Sequence, residues 1–285
     1  MWRGWRAEHR SITGASQAAR GPGRVAAVDG LRGLLAVVVV AWHVCAPFGL
    51  GWMLGPANVA VGLFFVISGY GLTRGWDGRL GLFLARRIVR LWPVYAICLG
   101  AGYLIAGVAP VWSEFLWFPY IGPDANPQID PPVWSLFLEI YAMPLMPLIV
   151  WAGAASGYRA ALGMALAAAA GLAAPQAAVV SLFIAGAFLA RVEWRSRLLE
   201  HRLAQWLGRV SYSLYLSHFL VLELARHAFG PWGGVAVTPA AFAVGWLVWR
   251  TVEQPSLRLS RRLARGGDRA ATPPAGGSAY PLTRS

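Results

Sequence analysis

The sequence predicts an all-α fold, a polytopic bundle of about eight transmembrane helices with both termini in the cytoplasm. Three observations predict it. Hydrophobic residues make up 57% of the 285 and charged residues only 13%, too few charges for a soluble domain of this size. The apolar residues fall in runs of about 17 to 25, the length that crosses a bilayer core. The basic residues, all 25 of them arginine, gather in alternate connections between those runs.

Taken in order, Arg3, Arg6, Arg10, Arg20, Arg24 and Arg32 precede or open the first run, Leu31–Leu50. Residues 1–28 form a basic cytoplasmic segment without the continuous apolar core of a signal peptide, so the first span is expected to insert uncleaved. Ala57–Thr73 is the second span, and the arginines from Arg74 to Arg90 separate it from the third, Leu91–Pro110. The longest outer connection, Trp112–Pro132, carries Trp117, Phe118, Tyr120, Asp124 and Asp130. Those aromatic and acidic groups suit sugar stacking or interfacial anchoring equally. Val133–Ala152 is the fourth span, and Ala160–Ala174 and Gln176–Ala190 are a short fifth and sixth. Arginines from Arg191 to Arg209 lead to the seventh, Val210–Phe229, and the eighth is Trp232–Trp249. Residues 29–262 are thus the membrane domain, and 263–285, with Thr272-Pro273-Pro274, a disordered cytoplasmic tail.

Alternation from an internal N-terminus puts 24 of the 25 arginines in the cytoplasm and only Arg226 outside, the bias of the positive-inside rule. The net charge of +13 is therefore read as topology in a multi-pass plasma-membrane protein, helped by anionic lipid, and not as nucleic-acid binding. Cys45 and Cys98 both fall within spans, as packed thiols rather than a disulfide framework.

Arg32 and His43 stand eleven residues apart in the first span. That is three helical turns with about 20° left over, so both project from one face, roughly 16 Å apart along the axis. Ionisable groups at such depth are costly and mark a functional site by default. Counted from Leu31, His43 lies about 18 Å in, and Glu139, counted from Val133, about 9 Å below the outer edge, so the two are expected at one level. A carboxylate on one imidazole nitrogen fixes the tautomer and leaves the other nitrogen to take a proton from a hydroxyl. Plain interhelical hydrogen bonding is the competing role for both.

Arg87 and Arg90, three apart, share a helical face that Arg86 extends, and guanidinium forks bind phosphate bidentately. The same spacing is also ordinary positive-inside punctuation. Ser211, Tyr215 and His218 share a face of the seventh helix, with His218 about 12 Å from the cytoplasmic end and so below His43. Ser68 and Gly69 suit close helix approach. Glu253, just beyond the last span, is expected to pair with a cytoplasmic arginine.

Six segments occur in a fixed order: Asp29-Gly30-Leu31-Arg32-Gly33, Gly62 to Tyr70, Phe83 to Pro93, Trp134-Ser135-Leu136-Phe137-Leu138-Glu139, Leu207 to His218, and Val252-Glu253-Gln254-Pro255. This set resembles the integral-membrane acyltransferase-3 family, whose members O-acylate sugars of surface polysaccharides, lipid-linked glycans and some macrolides. The resemblance implies transfer of an acyl group, acetyl first among them, from cytoplasmic acyl-coenzyme A to a hydroxyl of a glycan, lipid-linked sugar or macrolide-type acceptor. It makes His43 the catalytic base with Glu139 orienting it or touching the acceptor. Arg32, Arg87 and Arg90 then bind the donor, with His218 and Tyr215 along its path, and Asp29, Ser68, Trp134 and Ser135 serve substrate binding. No motif suggests a metal or redox cofactor. The chain departs from the family in two ways: members usually have about ten helices, and Ala142-Met143 stand where an aromatic pair normally follows the glutamate. A transporter or flippase of a lipid-linked glycan is the alternative, and the lack of an internal repeat weighs against it.

Overall fold

The computed structural model describes residues 25–54, 57–116, 132–155, 157, 159, 162–163 and 175–271, and among these there is no strand. Helix α1, Ala26–Cys45, starts five residues ahead of the apolar run. It gives way to a 3₁₀ turn, Ala46–Phe48, where Pro47 enters and Gly49 takes a left-handed φ of 70°. Helix α2 is Ala57–Arg74 and α3 is Leu80–Ala106. The start of α3 corrects the expected Leu91, since arginine is a good helix former and Phe83 buries its ring in the core. Arg86, Arg87 and Arg90 therefore sit in the same continuous helix as the apolar run.

A one-turn helix, α4 (Trp112–Phe115), folds back onto α3. Tyr103 donates to Glu114 Oε2 at 2.7 Å and Tyr95 to the Glu114 carbonyl at 2.5 Å. Residues 117–131, with the aromatic and acidic groups expected of the outer loop, lie outside the described residues. The fourth span is two helices, α5 (Val133–Ala142) and α6 (Met146–Ala155), joined by a 3₁₀ turn at Met143–Leu145 where Pro144 lacks the helical N–H. Most of the expected fifth span also lies outside the described residues. Helix α7 is Pro175–Leu189 and α8 is Arg202–Phe229, capped by the His201 ring accepting from Leu203 N.

The expected eighth span is α9 (Pro231–Ala236) followed by α10 (Thr238–Val248), a π-helical turn at Trp249–Glu253 and α11 (Gln254–Ala271). Helix α11 continues past residue 263, where the sequence suggests a disordered tail; its arginines, alanines and leucines favour helix.

Among the described residues, four stretches are long and apolar enough to cross a membrane: Ala26–Phe48, Gly51–Arg74, Leu80–Ala106 and Val133–Ala155, with mean hydropathy from 1.5 to 1.8. Helix α8 is as long but carries buried polar side chains on two sides, Ser211 with His218 and Ser213 with Ser217. Meanwhile Leu63, Trp92, Ile97, Leu104, Leu148 and Trp151 are exposed on the outside. Apolar outside and polar inside is the distribution lipid allows and water does not.

The C-terminal ends of α2, α6 and α7 meet at one face. There Arg74 donates to the Ala190 carbonyl at 3.2 Å, Tyr70 donates to that of Val192 at 2.9 Å, and Arg191 donates to those of Gly153 and Ala154. Arginine forks thus take the carbonyls a helix end leaves open.

Helix α1 packs mainly on α8, and the two run parallel. A Cβ on Gly33 would collide with the Gly208 amide, and a Cβ on Gly208 with the Asp29 carbonyl. Only glycine allows the backbones so close. Ten residues further along each helix, His43 meets His218, an offset of 175 positions once more. Fixed offset over nearly three turns means the helices lie side by side and level.

Candidate active site

That level pairing builds the site in two tiers along α1 and α8. In the upper tier, His43 Nδ1 lies 2.9 Å from the Val39 carbonyl and His218 Nδ1 lies 3.0 Å from that of Leu214. A carbonyl only accepts, so in each ring Nδ1 carries the proton. His218 Nε2, 3.3 Å from His43 Nδ1, then accepts a second, shared bond from the same N–H. His43 Nε2 keeps its lone pair, with no hydrogen-bond partner among the described residues.

The two rings sit edge to face with centroids 5.0 Å apart. Trp42 and Phe219 close on His43 at 5.2 and 5.6 Å. Arg226, near the end of α8, donates to the His43 carbonyl and to Glu223 Oε2 at 3.2 Å. Both side chain and main chain of His43 are therefore tied to α8. One turn below His218, Tyr215 shares a hydrogen bond of 2.8 Å with Ser135 of α5, so these two expected site residues do come together.

The lower tier is charged. Arg32 faces Arg90, Glu139, Asp29 and Glu253 electrostatically, and Arg87 faces Arg90, Glu139, Arg32 and Arg86. Glu253, 2% exposed, accepts from Ser213 Oγ at 2.6 Å. Tyr212 donates to the Leu91 carbonyl at 2.9 Å, tying α8 to the arginine-bearing helix α3.

Two expectations on placement change. Glu139 does not stand beside His43 but joins Arg32 and Arg87, because α5 begins inside the bundle: Pro132 and Val133 are already buried, so counting depth from a membrane edge at Val133 places the carboxylate too high. His218 does not lie below His43 but against it. Of the remaining site residues, Asp29 stays near Arg32, Ser68 is buried in α2, and Trp134 is partly exposed with its ring 6.5 Å from Phe65. Arg226 and Ser213 are contributors that sequence reasoning passed over. The equal ten-residue steps Gly33 to His43 and Gly208 to His218 were the signal for the histidine pair.

The sequence model of the acyltransferase-3 family, described as an acyltransferase domain, matches residues 25–204. The chain belongs to this family. The matched residues hold four of the six ordered segments, with Arg32, His43, Arg87, Arg90 and Glu139, while His218 and Glu253 lie beyond them. "Protein 2 in picA locus" from Rhizobium radiobacter is 37% identical over 95 residues, 30% of this chain and 48% of that protein. The chain thus spans about half the length of that curated relative. No solved structure matches the chain. Residues 25–204 form an acyltransferase domain of the family, set in a helical membrane bundle.

Proposed function

We propose that the protein is a multi-pass plasma-membrane O-acyltransferase that moves an acyl group, acetyl first, from cytoplasmic acyl-coenzyme A to a hydroxyl of a glycan or glycosylated metabolite. The observation that carries this reading is the fixed tautomer of His43. With the proton held on Nδ1, Nε2 takes the hydroxyl proton as the acceptor oxygen attacks the thioester carbonyl. The C–S bond then breaks, the thiolate of coenzyme A leaves, and the proton on Nε2 passes to that sulfur. Arg32, Arg87 and Arg90 hold the donor phosphates, roughly 16 Å along α1 from His43. The arm of the coenzyme spans that distance, passing Tyr215. Glu139 acts at the phosphate end on this view, as a counter-charge to Arg32 and Arg87.

Purified protein with acetyl-coenzyme A and a panel of glycans is expected to release free thiol in step with acceptor acylation. Surface glycans and secreted metabolites from cells lacking the chain are expected to lose the mass of one acyl group. Movement of a glycan lipid across vesicles without thiol release makes the protein a transporter instead. Orientation follows the arginine bias: Asn126→Cys is expected to react with an impermeant reagent in intact cells and Arg197→Cys is not.

A further inference from the structure

We propose that α11 is a binding surface for acidic phospholipid, its arginines taking the headgroup phosphate and its leucines the top of the acyl chains. The helix carries three strips of side chain at helical spacing. Ser256 and Ser260 are buried, and Ser260 donates to the Arg86 carbonyl at 2.9 Å, which lays α11 along the first turns of α3. Leu259 and Leu263, four apart, are exposed at 50% and 37%. Arg258, Arg261 and Arg262 are exposed beside them.

The position of these strips follows from length. Helix α10, the π-helical turn and α11 run without a break from Thr238 to Ala271, about 50 Å of helix against a bilayer core of about 30 Å. Trp246 and Leu247 of α10 form exposed apolar surface, so the end that overshoots the core and meets the headgroups is α11.

Few of the arginine donors are engaged. Arg258 donates to Gln254 Oε1 at 3.1 Å, an oxygen that also accepts from Arg250 at 2.8 Å, and Arg261 donates to the Leu257 carbonyl at 3.2 Å. A guanidinium has five N–H groups, and among the described residues no carboxylate pairs with Arg250, Arg258, Arg261 or Arg262. Phosphate takes such forks bidentately. A soluble polyanion would satisfy the arginines and leave Leu259 and Leu263 in water. A phospholipid meets both strips with one molecule, and an acidic one adds the net charge that basic amphipathic helices select.

The test equilibrates the purified full chain in detergent micelles with phosphatidylglycerol and phosphatidylcholine of the same acyl chains, and counts the lipid retained by native mass spectrometry. Each arginine at an anionic surface is good for about fivefold in affinity before salt screens it. Wild type is therefore expected to favour phosphatidylglycerol by about tenfold or more, and Arg258→Gln with Arg261→Gln and Arg262→Gln to lose most of that preference. Lysine at the same three positions is expected to keep the larger part, since the charge is retained. Arg262→Gln alone, expected to cost about threefold, decides the matter if the triple variant is not recovered folded. Equal retention of the two lipids by wild type, or an unchanged preference in the glutamine variants, overturns the inference. Glycerol phosphate, a headgroup without chains, is expected not to displace the lipid; displacement would make this a soluble-anion site and overturn the lipid assignment. Arg87→Ala with Arg90→Ala is expected to leave the preference unchanged, and its loss there would move the lipid to the donor arginines.

Discussion

The two tiers of the site share α1 but are held by opposite means. At the upper tier every histidine N–H has a backbone carbonyl within 3.0 Å and the rings meet edge to face, so geometry is fixed by directional bonds between neutral groups. At the lower tier guanidinium and carboxylate groups on α1, α3, α5 and the end of the π turn act on one another through their charge, without a directional bond between them among the described residues. Directional bonds suit proton transfer, where a misplacement of an ångström is costly. Charges held by charges suit exchange, because one anion can replace another without rebuilding the fold.

That contrast breaks most sharply at His43. Replacing it with alanine is expected to lower turnover by about 10² to 10⁴-fold while donor binding stays near wild type, read as thiol release against coenzyme affinity. Full turnover in His43→Ala ends the assignment of the base.

The mirror-image change is Arg87→Ala with Arg90→Ala. Donor affinity is expected to fall more than tenfold if each fork contributes on the order of 1 kcal/mol, with lysine restoring only part. Normal insertion with unchanged donor binding would make the arginines topology signals alone.

His218→Ala sharpens the upper tier. Loss of one hydrogen-bond partner to the catalytic ring is expected to cost on the order of 1 kcal/mol, about five- to tenfold in kcat, with donor KM unmoved. A rise in KM at constant kcat would return His218 to the donor path. The smallest change expected is Tyr215→Phe, which removes the bond to Ser135 midway between tiers. It costs about 0.6 kcal/mol, a typical interhelical bond in a membrane, or some threefold in activity; a loss as large as that of His43→Ala would put the phenol in the chemistry.

Much of this was legible in the sequence because membrane insertion writes length and charge plainly. The helical bundle, the shared face of Arg32 and His43, and the grouping of Arg87 with Arg90 all follow from counting residues along one helix. Relations between helices were harder, since they depend on where each helix enters. Counting from Val133 as a membrane edge sets Glu139 one tier too high, because Val133 is a buried position. The sequence marks only the apolar part of α3, because its three arginines also read as punctuation while their neighbours Phe83 and Leu91 pack in the core. The partner of His43 was in view as two glycine-to-histidine steps of equal length, yet only the backbone contact of Gly33 with Gly208 shows that the steps run alongside each other.

The parallel alignment of α1 with α8 has a consequence for how the protein is made. His43 leaves the ribosome 175 positions ahead of His218, a delay of roughly 10 to 35 s at ordinary synthesis rates. Through that interval the first helix sits in lipid and His43 lacks the helix that will hold its ring and its carbonyl. The glycine faces that later admit α8 are open to lipid or to other helices in the meantime. Activity therefore switches on only when the C-terminal helices arrive, and a nascent chain cut short of α8 carries the arginines and the base without the frame that makes them a site.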